Sequence, residues 1–433
     1  GNFSGKTPTL GATSQTATYT FKNWNNAAAG NGSYTYTNGQ TVTNPNGATS
    51  GTTYLYAQWN SASVKLPTAT LPGYTFLGWY DAATGGNKIG DAGYSYTPTA
   101  AKTLYAHWQA NKITVKFSGN GATGGATADQ QFTYDSAQAL RANGFTRAYT
   151  VTYNGNFSGK TPTLGATSQT ATYTFKNWNN AAAGNGSYTY TNGQTVTNPN
   201  GATSGTTYLY AQWNSASVKL PTATLPGYTF LGWYDAATGG NKIGGAGDSY
   251  TPTAAKTLYA HWNANTNTAY KVNVYVMNTS GGYPTSPTTH SYTGTTDTSV
   301  TIDPSRYYPD KSGQFSLDSD KSNVLTGTIK GDGSLVLVVY IKRASHTVTY
   351  DSATNGGSTA TQTRTVYYQG AVDFTLKAEK SDWTFIGWNT DKNATEKLDS
   401  LTMGTSNVTL YAIFSKTVTV HFYSGSKGAV HNQ

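Results

Sequence analysis

The chain has 433 residues, a formal net charge of +9 and no cysteine. A chain of this length exceeds what one hydrophobic core holds, so several domains are expected. The lack of cysteine excludes disulfides and thiolate metal sites. The basic residues are dispersed, so nucleic acid is not expected as a partner. The net charge either serves solubility alone or gives loose attraction to anionic cell-wall polymers. No apolar run is long enough for membrane insertion.

Strand-forming and turn-forming residues dominate the composition, with 34 Tyr and 48 Gly, and only 11% of the residues are charged. This profile predicts a mainly β protein with very little helix. One short helix is expected at residues 137–142, because Ser136 is a suitable N-cap and Asn143-Gly144 a suitable stop.

Two aromatic signatures alternate along the chain. The opening signature is Tyr-Thr-Phe-x-Gly/Asn-Trp, with Trp in place of Tyr in the last copy; it occurs at Tyr19–Trp24, Tyr74–Trp79, Tyr173–Trp178, Tyr228–Trp233 and Trp383–Trp388. The closing signature is Leu-Tyr-Ala-x-Trp/Phe, and it occurs at Leu55–Trp59, Leu104–Trp108, Leu209–Trp213, Leu258–Trp262 and Leu410–Phe414. Paired signatures of this kind indicate a repeat protein.

Strand geometry predicts how each pair of signatures packs. Leu104, Ala106 and Trp108 share one face of a strand. Phe76 and Trp79 would point to opposite faces unless the residue at position 78 forms a bulge or takes a left-handed conformation, which Gly and Asn tolerate. The five positions concerned are Asn23, Gly78, Asn177, Gly232 and Gly387. The predicted core residues are Phe21, Trp24, Trp59, Phe76, Trp79, Trp108, Phe175, Trp178, Trp213, Phe230, Trp233, Trp262, Phe385, Trp388 and Phe414.

A large duplication sets the domain plan. Residues 1–108 recur as residues 155–262, with only Asp91→Gly245 and Tyr94→Asp248 differing. The predicted modules are 1–59 (partial long repeat), 60–110 (short repeat), 111–213 (long repeat with an insertion), 214–264 (short repeat), 265–343 (a different β domain), 344–416 (repeat) and 417–433. Residues 149–172 are either an insertion or the junction of two modules.

Both ends of the sequence fall inside repeats. Gly1 is not preceded by a methionine, so the chain is expected to be a piece of something longer. At the other end, residues 417–433 are either the first strand of a further module or a strand donated to another molecule, with Val418, Val420 and Phe422 as its apolar face. Neighbouring modules or other copies of the chain are therefore expected partners.

The aromatic signatures, together with Gln130–Arg147 (QQFTYDSAQALRANGFTR), resemble the Listeria–Bacteroides repeat family. Residues 269–343 resemble the mucin-binding-protein type of repeat, through YKVNVYV and GDGSLVLVVYIKR. The first resemblance implies small β-grasp-like modules strung as an elongated array in secreted or wall-attached bacterial proteins, and no catalytic residues.

The sequence offers no constellation for catalysis. Most aspartates stand in turns, and the six histidines lack ligand spacing. We therefore expect no enzyme activity, no cofactor and no metal site. The predicted function is an extracellular bacterial stalk, spacer or filament-forming surface protein. The alternative is an adhesin whose modules bind glycan or a host surface protein.

Overall fold

The computed structural model describes residues 5–423 and 430–431. This part of the chain is built from β-strands and four short 3-10 turns, with no α-helix, as the composition predicts. The chain divides into two compact units. The first holds residues up to Val151, Gln169–Val218 and Thr251–Lys256, and the second holds Thr152–Ser168, Lys219–Tyr250 and the residues from Thr257 onward.

The strands that contain the two signatures are longer than most of the strands between them. In the first quarter they are Thr9–Leu10, Phe21–Asn25, Thr35–Tyr36, Tyr56–Trp59, Val64–Lys65, Ala69–Thr70, Tyr74–Tyr80, Lys88–Gly90, Ser95–Tyr96 and Tyr105–Ala110. In the middle they are Lys112–Ser118, Gly124–Gly125, Gln130–Thr133, Gln138–Ala139, Phe145–Asn154, Thr163–Leu164, Ser168–Tyr173, Phe175–Asn179, Thr189–Tyr190, Thr195–Val196, Gly205–Trp213, Val218–Lys219, Ala223–Thr224, Tyr228–Tyr234, Lys242–Gly244, Ser249–Tyr250 and Lys256–Ala264.

The remaining strands are Thr268–Val276, Thr288–Gly294, Ser299–Thr301, Phe315–Leu317, Thr326–Thr328, Val336–Arg343, Ser345–Asp351, Gln362–Tyr367, Thr384–Asn389, Val408–Ser415, Phe422–Tyr423 and Val430–His431. The 3-10 turns are Pro45–Gly47, Pro199–Gly201, Pro304–Tyr307 and Ala353–Asn355.

One complete module shows the common plan. Its first strand, Ser345–Asp351, runs parallel to its last, Val408–Ser415, in the centre of the sheet. Gln362–Tyr367 pairs outside the first strand and Thr384–Asn389 outside the last, both antiparallel. This is a β-grasp-like order. The core on one face contains Val348, Trp388, Met403 and Leu410, all at most 2% exposed.

The domain at 265–343 has the same order. Thr268–Val276 runs parallel to Val336–Arg343, with Thr288–Gly294 and Phe315–Leu317 at the edges. Its core includes Val272, Leu337 and Ile341, which are all fully buried. The shared strand order does not test the resemblance to mucin-binding repeats, which stays a prediction.

A third sheet of this kind lies in the first unit and is assembled from two stretches of chain. Lys112–Ser118 runs parallel to Gly205–Trp213, and Phe175–Asn179 pairs antiparallel with the other side of Gly205–Trp213. The core joins Ile113, Phe132, Trp178 and Leu209. We call residues 112–140 with 175–213 the split module, because residues 145–173 are not part of this sheet, although Phe145 packs against its core.

Part of the intervening stretch belongs to a module of the second unit. Thr163 pairs with Thr224, and the Gly165 N–H donates to the Thr222 carbonyl at 2.8 Å. The ring of Tyr153 lies 4.9 Å from that of Trp233. Residues 152–168 therefore pack together with residues 219–250 as the opening part of one module.

The predicted helix at residues 137–142 is wrong. Gln138–Ala139 is a strand that pairs with Thr195–Val196. The side chain of Gln130 donates to the Ala139 carbonyl and accepts from the Arg141 N–H, both at 2.8 Å. Leu140, at 3% exposed, is held in the core of the split module. Tertiary contacts override the weak local preference because a helix this short is unstable alone.

The bulge predicted in the opening signature is confirmed at all five positions. A register shift interrupts pairing with the closing strand next to each of them. Gly78 and Gly232 have φ of 126° and 133°, and Gly387 reaches 157°, close to extended backbone. The bulge brings both rings to one side, since Phe230 lies 5.4 Å from Trp233 and 5.4 Å from Trp262.

The structure places the predicted core residues in three groups. Four tryptophans of the opening signature are buried: Trp79, Trp178, Trp233 and Trp388. Nine side chains are partly buried: Phe21, Phe76, Trp108, Phe175, Trp213, Phe230, Trp262, Phe385 and Phe414. Trp24 and Trp59 do not lie in a core, being 36% and 56% exposed.

Candidate functional site: the module junctions

Successive sheets are joined by very short linkers. A single residue, Asn111, separates the closing strand Tyr105–Ala110 from Lys112–Ser118. Residues 265–267 separate Lys256–Ala264 from Thr268–Val276, and Ala344 alone separates Val336–Arg343 from Ser345–Asp351. We call these places the Asn111, Asn265 and Ala344 junctions. Linkers this short leave the backbone little freedom between modules.

All three junctions share one backbone hydrogen bond. The N–H of Tyr134, Thr296 or Tyr368 donates to the carbonyl of the junction residue, Asn111, Asn265 or Ala344, at 2.9 Å in each case. The residue that follows each donor has a left-handed backbone, with φ of 59° at Asp135, 62° at Asp297 and 65° at Gln369. Asp tolerates this conformation better than most residues, which explains its use at such a turn.

The left-handed residue of the Asn265 junction carries a cluster of polar contacts. Asp297 accepts from the Lys160 ammonium and, at 2.5 Å, from the Tyr228 hydroxyl. The Lys160 ammonium also lies 5.0 Å from the Tyr228 ring centre, a cation–π geometry. Lys160 and Tyr228 belong to one module and Asp297 to the next, so this cluster fastens two modules together.

Electrostatics in this cluster follow from the contacts. The Lys160 and Tyr228 hydrogen bonds lower the pKa of Asp297 below its ordinary value because they favour the ionised carboxylate. Burial, with the hydrogen bond to Asp297 as the next cause, raises the pKa of Tyr228 to about 12. Both groups therefore keep the protonation states that the contact needs at neutral pH.

The Asn111 junction repeats the same chemistry. Asp135 accepts from Lys6 and, at 2.8 Å, from the Tyr74 hydroxyl. Lys6 and Tyr74 are the duplicate counterparts of Lys160 and Tyr228. The Lys6 ammonium lies 4.5 Å from the Tyr134 ring centre, and the Asn198 amide donates to the second Asp135 oxygen at 2.9 Å. The lysine–tyrosine pair is therefore the same at both junctions, and in each case the module that follows supplies the aspartate.

The Ala344 junction uses different side chains in the same place. Arg343 donates to the side-chain oxygen of Gln369 at 2.8 Å and to the carbonyl of Met277 at 2.6 Å. Its guanidinium lies 5.0 Å from the ring centre of Phe315. A cation from one module and an oxygen from the left-handed residue of the next therefore recur at all three junctions.

Glycine permits the close approach of the backbones. A Cβ on Gly227 would lie 2.4 Å from the Gly331 Cα, and one on Gly73 would lie 2.2 Å from the Tyr134 ring. The Asn265 N–H donates to the Gly227 carbonyl and the Asn111 N–H to the Gly73 carbonyl, both at 2.9 Å. A side chain at either glycine would separate the modules at these contacts.

A second recurring feature was missed in the sequence. Asn156 donates its side-chain amide to the carbonyls of Ala237 and Ala260, at 2.8 and 3.0 Å. Asn120 and Asn355 make the same pair of contacts in their own modules. Each asparagine joins the turn after the first strand to the closing strand and to the loop after the opening signature. The detectable signal was an asparagine in a Gly-rich or Ser-rich turn after every first strand.

The described residues hold no group of three or more His, Cys, Asp or Glu side chains suited to a metal ion. His107 and His261, on the outer face of the closing strand, stack on Tyr80 and Tyr234 at 3.9 Å. In the part of the chain that the structure describes, no helix has the length and apolarity to cross a membrane. The apolar face proposed for an assembly strand is exposed: Val418, Val420 and Phe422 are 69%, 61% and 69% exposed.

These sheets and junctions define a tandem array of small β-grasp-like modules. Residues 41–107, 196–261 and 346–413 match the Listeria-Bacteroides repeat domain. The family resemblance of the aromatic signatures is confirmed. Two of the matched stretches, 41–107 and 196–261, run across a change of sheet, because Gly205–Trp213 belongs to the split module.

Two proteins are similar to this chain in sequence. A putative Gly-rich membrane protein of Evansella cellulosilytica is 27% identical over 403 residues, which are 82% of this chain and 40% of that protein. Internalin H of Listeria monocytogenes is 43% identical over 74 residues, 17% of this chain and 13% of internalin H. The chain therefore spans less than half of the length of either relative.

A similar solved structure is the Bacillus anthracis TIE protein. It is 8% identical in sequence, the alignment covers 73% of this chain and 52% of that one, and the TM-score is 0.23. A score this low does not establish a common fold.

Proposed function

We propose that this chain is a structural spacer in a bacterial surface or secreted protein, in which folded modules hold other parts of the protein at a set distance. The observation that carries the proposal is the repeated junction, where a linker of one to three residues is combined with a contact between a cation of one module and the left-handed residue of the next. A repeat array transmits position from module to module only when neighbouring modules are fixed to each other.

The similarity to repeat-domain proteins supports a surface repeat protein. The relatives are a putative Gly-rich membrane protein and an internalin, and neither is named as an enzyme. Binding of glycans or of anionic cell-wall polymers stays a prediction. The spacer role rests on the junctions alone and does not require a ligand.

Distance measurement between spin labels tests the spacer directly, because the chain has no cysteine of its own. Thr238→Cys and Ser291→Cys place labels at exposed sites on the two sides of the Asn265 junction. A narrow distance distribution is expected, because the junction fixes the modules. The control pair, Ser291→Cys with Thr328→Cys, lies within one module and gives the width of a rigid fold.

The junction variant Lys160→Met with Asp297→Asn is expected to broaden the distribution across the junction and leave the control pair unchanged. If the unaltered protein already gives a distribution several times broader than the control pair, the junction is a flexible tether and the spacer proposal fails.

A further inference from the structure

The two copies of the duplicated sequence present the same surface to two different modules. We call this surface in the first copy the first docking surface, and it consists of Lys6, Gly73 and Tyr74. Its counterpart in the second copy, the second docking surface, consists of Lys160, Gly227 and Tyr228. The split module follows the first docking surface, and the domain at 265–343 follows the second.

The residue at which the next module begins is also the same in both copies. Asn111 and Asn265 occupy equivalent positions one period apart. The Thr75 hydroxyl donates to the side-chain oxygen of Asn111, and the Thr229 hydroxyl donates to that of Asn265, both at 2.7 Å. The boundary of the repeated unit therefore coincides with the junction.

The two positions at which the copies differ lie in a separate turn. In the first copy Asp91 pairs with Lys88, and in the second copy the Gly245 N–H donates to the Asp248 carboxylate at 2.7 Å. Both contacts join residues three apart within that turn. The sequence differences therefore leave the residues of the docking surfaces unchanged.

The two incoming modules differ in the side chain that precedes the shared aspartate. Tyr134 precedes Asp135, and its ring centre lies 5.5 Å from that of Tyr74. Thr296 takes this place in the other module, where its hydroxyl donates to the Gly227 carbonyl at 2.8 Å. One docking sequence thus accepts either an aromatic ring or a hydroxyl at this position.

The incoming modules share a backbone donor and the carboxylate that follows it. The N–H before each aspartate donates to the asparagine carbonyl at 2.9 Å, and each carboxylate accepts from a lysine and a tyrosine hydroxyl. In both modules the aspartate has a left-handed backbone and follows the strand that pairs with the first strand of its module. These shared groups are what the docking surface contacts in both cases.

We propose that the two docking surfaces are interchangeable, so that each one fits either incoming module. A split module placed after Ala264 docks with its Asp135 carboxylate against Lys160 and Tyr228. The partner that fits is a β module that carries a left-handed aspartate after the strand beside its first strand. The chain can therefore gain residues 111–264 as a whole unit and keep the geometry of every junction. This inference rests on the proposed spacer role, because it requires fixed junctions.

An expanded chain with a second copy of residues 111–264 inserted after Ala264 tests the proposal. All 433 residues are retained, and one new junction is created, at which the inserted split module follows the second docking surface. Spin labels at Thr238→Cys of the original copy and at Gln131→Cys of the inserted copy lie on the two sides of this new junction. Both positions are exposed.

The unaltered chain supplies the reference distance. Thr84 is exposed and is the counterpart of Thr238, so Thr84→Cys with Gln131→Cys spans the Asn111 junction in the same way. The new junction is expected to give the same mean distance and a distribution no broader than this reference, because the docking residues and the incoming module are the same. Gln131→Cys with Ser187→Cys, near opposite edges of the inserted sheet, shows the width within one folded module.

Gly227→Ala provides a matched pair of variants in the expanded chain. Placed in the original copy, it is expected to shift or broaden the distance across the new junction, because a Cβ on the equivalent Gly73 would lie 2.2 Å from the Tyr134 ring. Placed in the inserted copy, it carries the same backbone strain at a φ of 79° but faces the domain at 265–343. There it is expected to leave the new junction unchanged.

A shifted or broad distribution at the new junction, with narrow distributions at the Asn111 and Asn265 junctions of the unaltered chain, would overturn the interchange and leave the spacer role standing. A broad distribution within the inserted split module would also overturn the interchange, because the added unit would not be folded. Broad distributions at both unaltered junctions would overturn the spacer role and this inference with it.

Discussion

Trp24 and Trp178 are counterparts in the duplicated sequence, yet Trp24 is 36% exposed and Trp178 is fully buried. The difference comes from residues outside the duplicated stretch. The rings of Phe117 and Phe145 lie 4.8 and 6.2 Å from Trp178, and both residues precede the duplicated stretch that contains Trp178. An identical local sequence thus has a different environment because its cover comes from elsewhere in the chain.

The same pair gives a prediction about stability. Trp178→Ala is expected to lower the free energy of unfolding of the split module by about 3–5 kcal/mol, because it leaves a cavity in a closed core. Trp24→Ala is expected to change stability by less than about 1 kcal/mol, in keeping with its exposure. Hydrogen exchange of the amides in Lys112–Ser118, a segment that occurs once in the chain, reports on the split module. Equal losses of protection there in both variants would contradict the prediction.

The bulge in the opening signature predicts a strong preference for glycine. Gly232→Ala forces an L-residue to a φ of 133° and places a Cβ 2.8 Å from the Gly244 carbonyl oxygen. A destabilisation of about 1–3 kcal/mol is expected, measured by urea unfolding of the protein. Gly245→Ala is the control, because a Cβ there meets nothing closer than 3.7 Å and the other copy of the duplicated stretch carries Asp91 at the equivalent position. Equal stability of Gly232→Ala and Gly245→Ala would show that position 232 does not require glycine.

The contact between Lys160 and Asp297 is expected to contribute little energy by itself. Their side chains are 35% and 38% exposed, and ion pairs of this exposure are typically worth less than about 1 kcal/mol. A double-mutant cycle with Lys160→Met and Asp297→Asn is expected to give a coupling in that range, decreasing with added salt. The more exposed pair of Lys88 and Asp91 serves as a comparison and is expected to give a smaller coupling. A coupling free energy of several kcal/mol would contradict this prediction, because it would require water to be excluded from the ion pair far more than the exposure of the two side chains indicates.

The Asn265 junction is expected to respond to pH at both extremes. The pKa of Asp297 is lowered on folding, so its contribution is present above about pH 4 and is lost as pH falls through the lower folded value. The pKa of Tyr228 is raised to about 12, so its contribution is present below about pH 10 and is lost as pH rises through 12.

Thermal unfolding of the unaltered protein and of Asp297→Asn measures the acid side of this response. The difference in melting temperature is expected to be constant between about pH 5 and pH 8 and to shrink below about pH 4, where the native carboxylate becomes protonated. Tyr228→Phe provides the corresponding comparison on the alkaline side. A difference that persists unchanged at pH 2 would mean that the carboxylate charge plays no part in the junction.

The sequence alone determined the strand content, the repeat and the bulge. Alternation along the closing strand requires Leu104, Ala106 and Trp108 to share a face, and Gly78 between Phe76 and Trp79 requires a local change of register. These inferences succeed because each depends on residues within one strand or one hairpin, where spacing fixes direction. The resemblance to the repeat family could be recognised from the sequence for the same reason, because each aromatic signature is a short continuous stretch.

Only the tertiary structure decided which strands meet. Lys112–Ser118 and Gly205–Trp213 lie side by side although 86 residues separate Ser118 from Gly205, and parallel pairing of this kind has no turn to mark it in the sequence. The residues of the junction contacts, Lys6 with Asp135 and Lys160 with Asp297, are even farther apart along the chain. The burial of Trp178 and the failure of the predicted helix at 137–142 both follow from which distant segment covers a surface, and local spacing does not encode that.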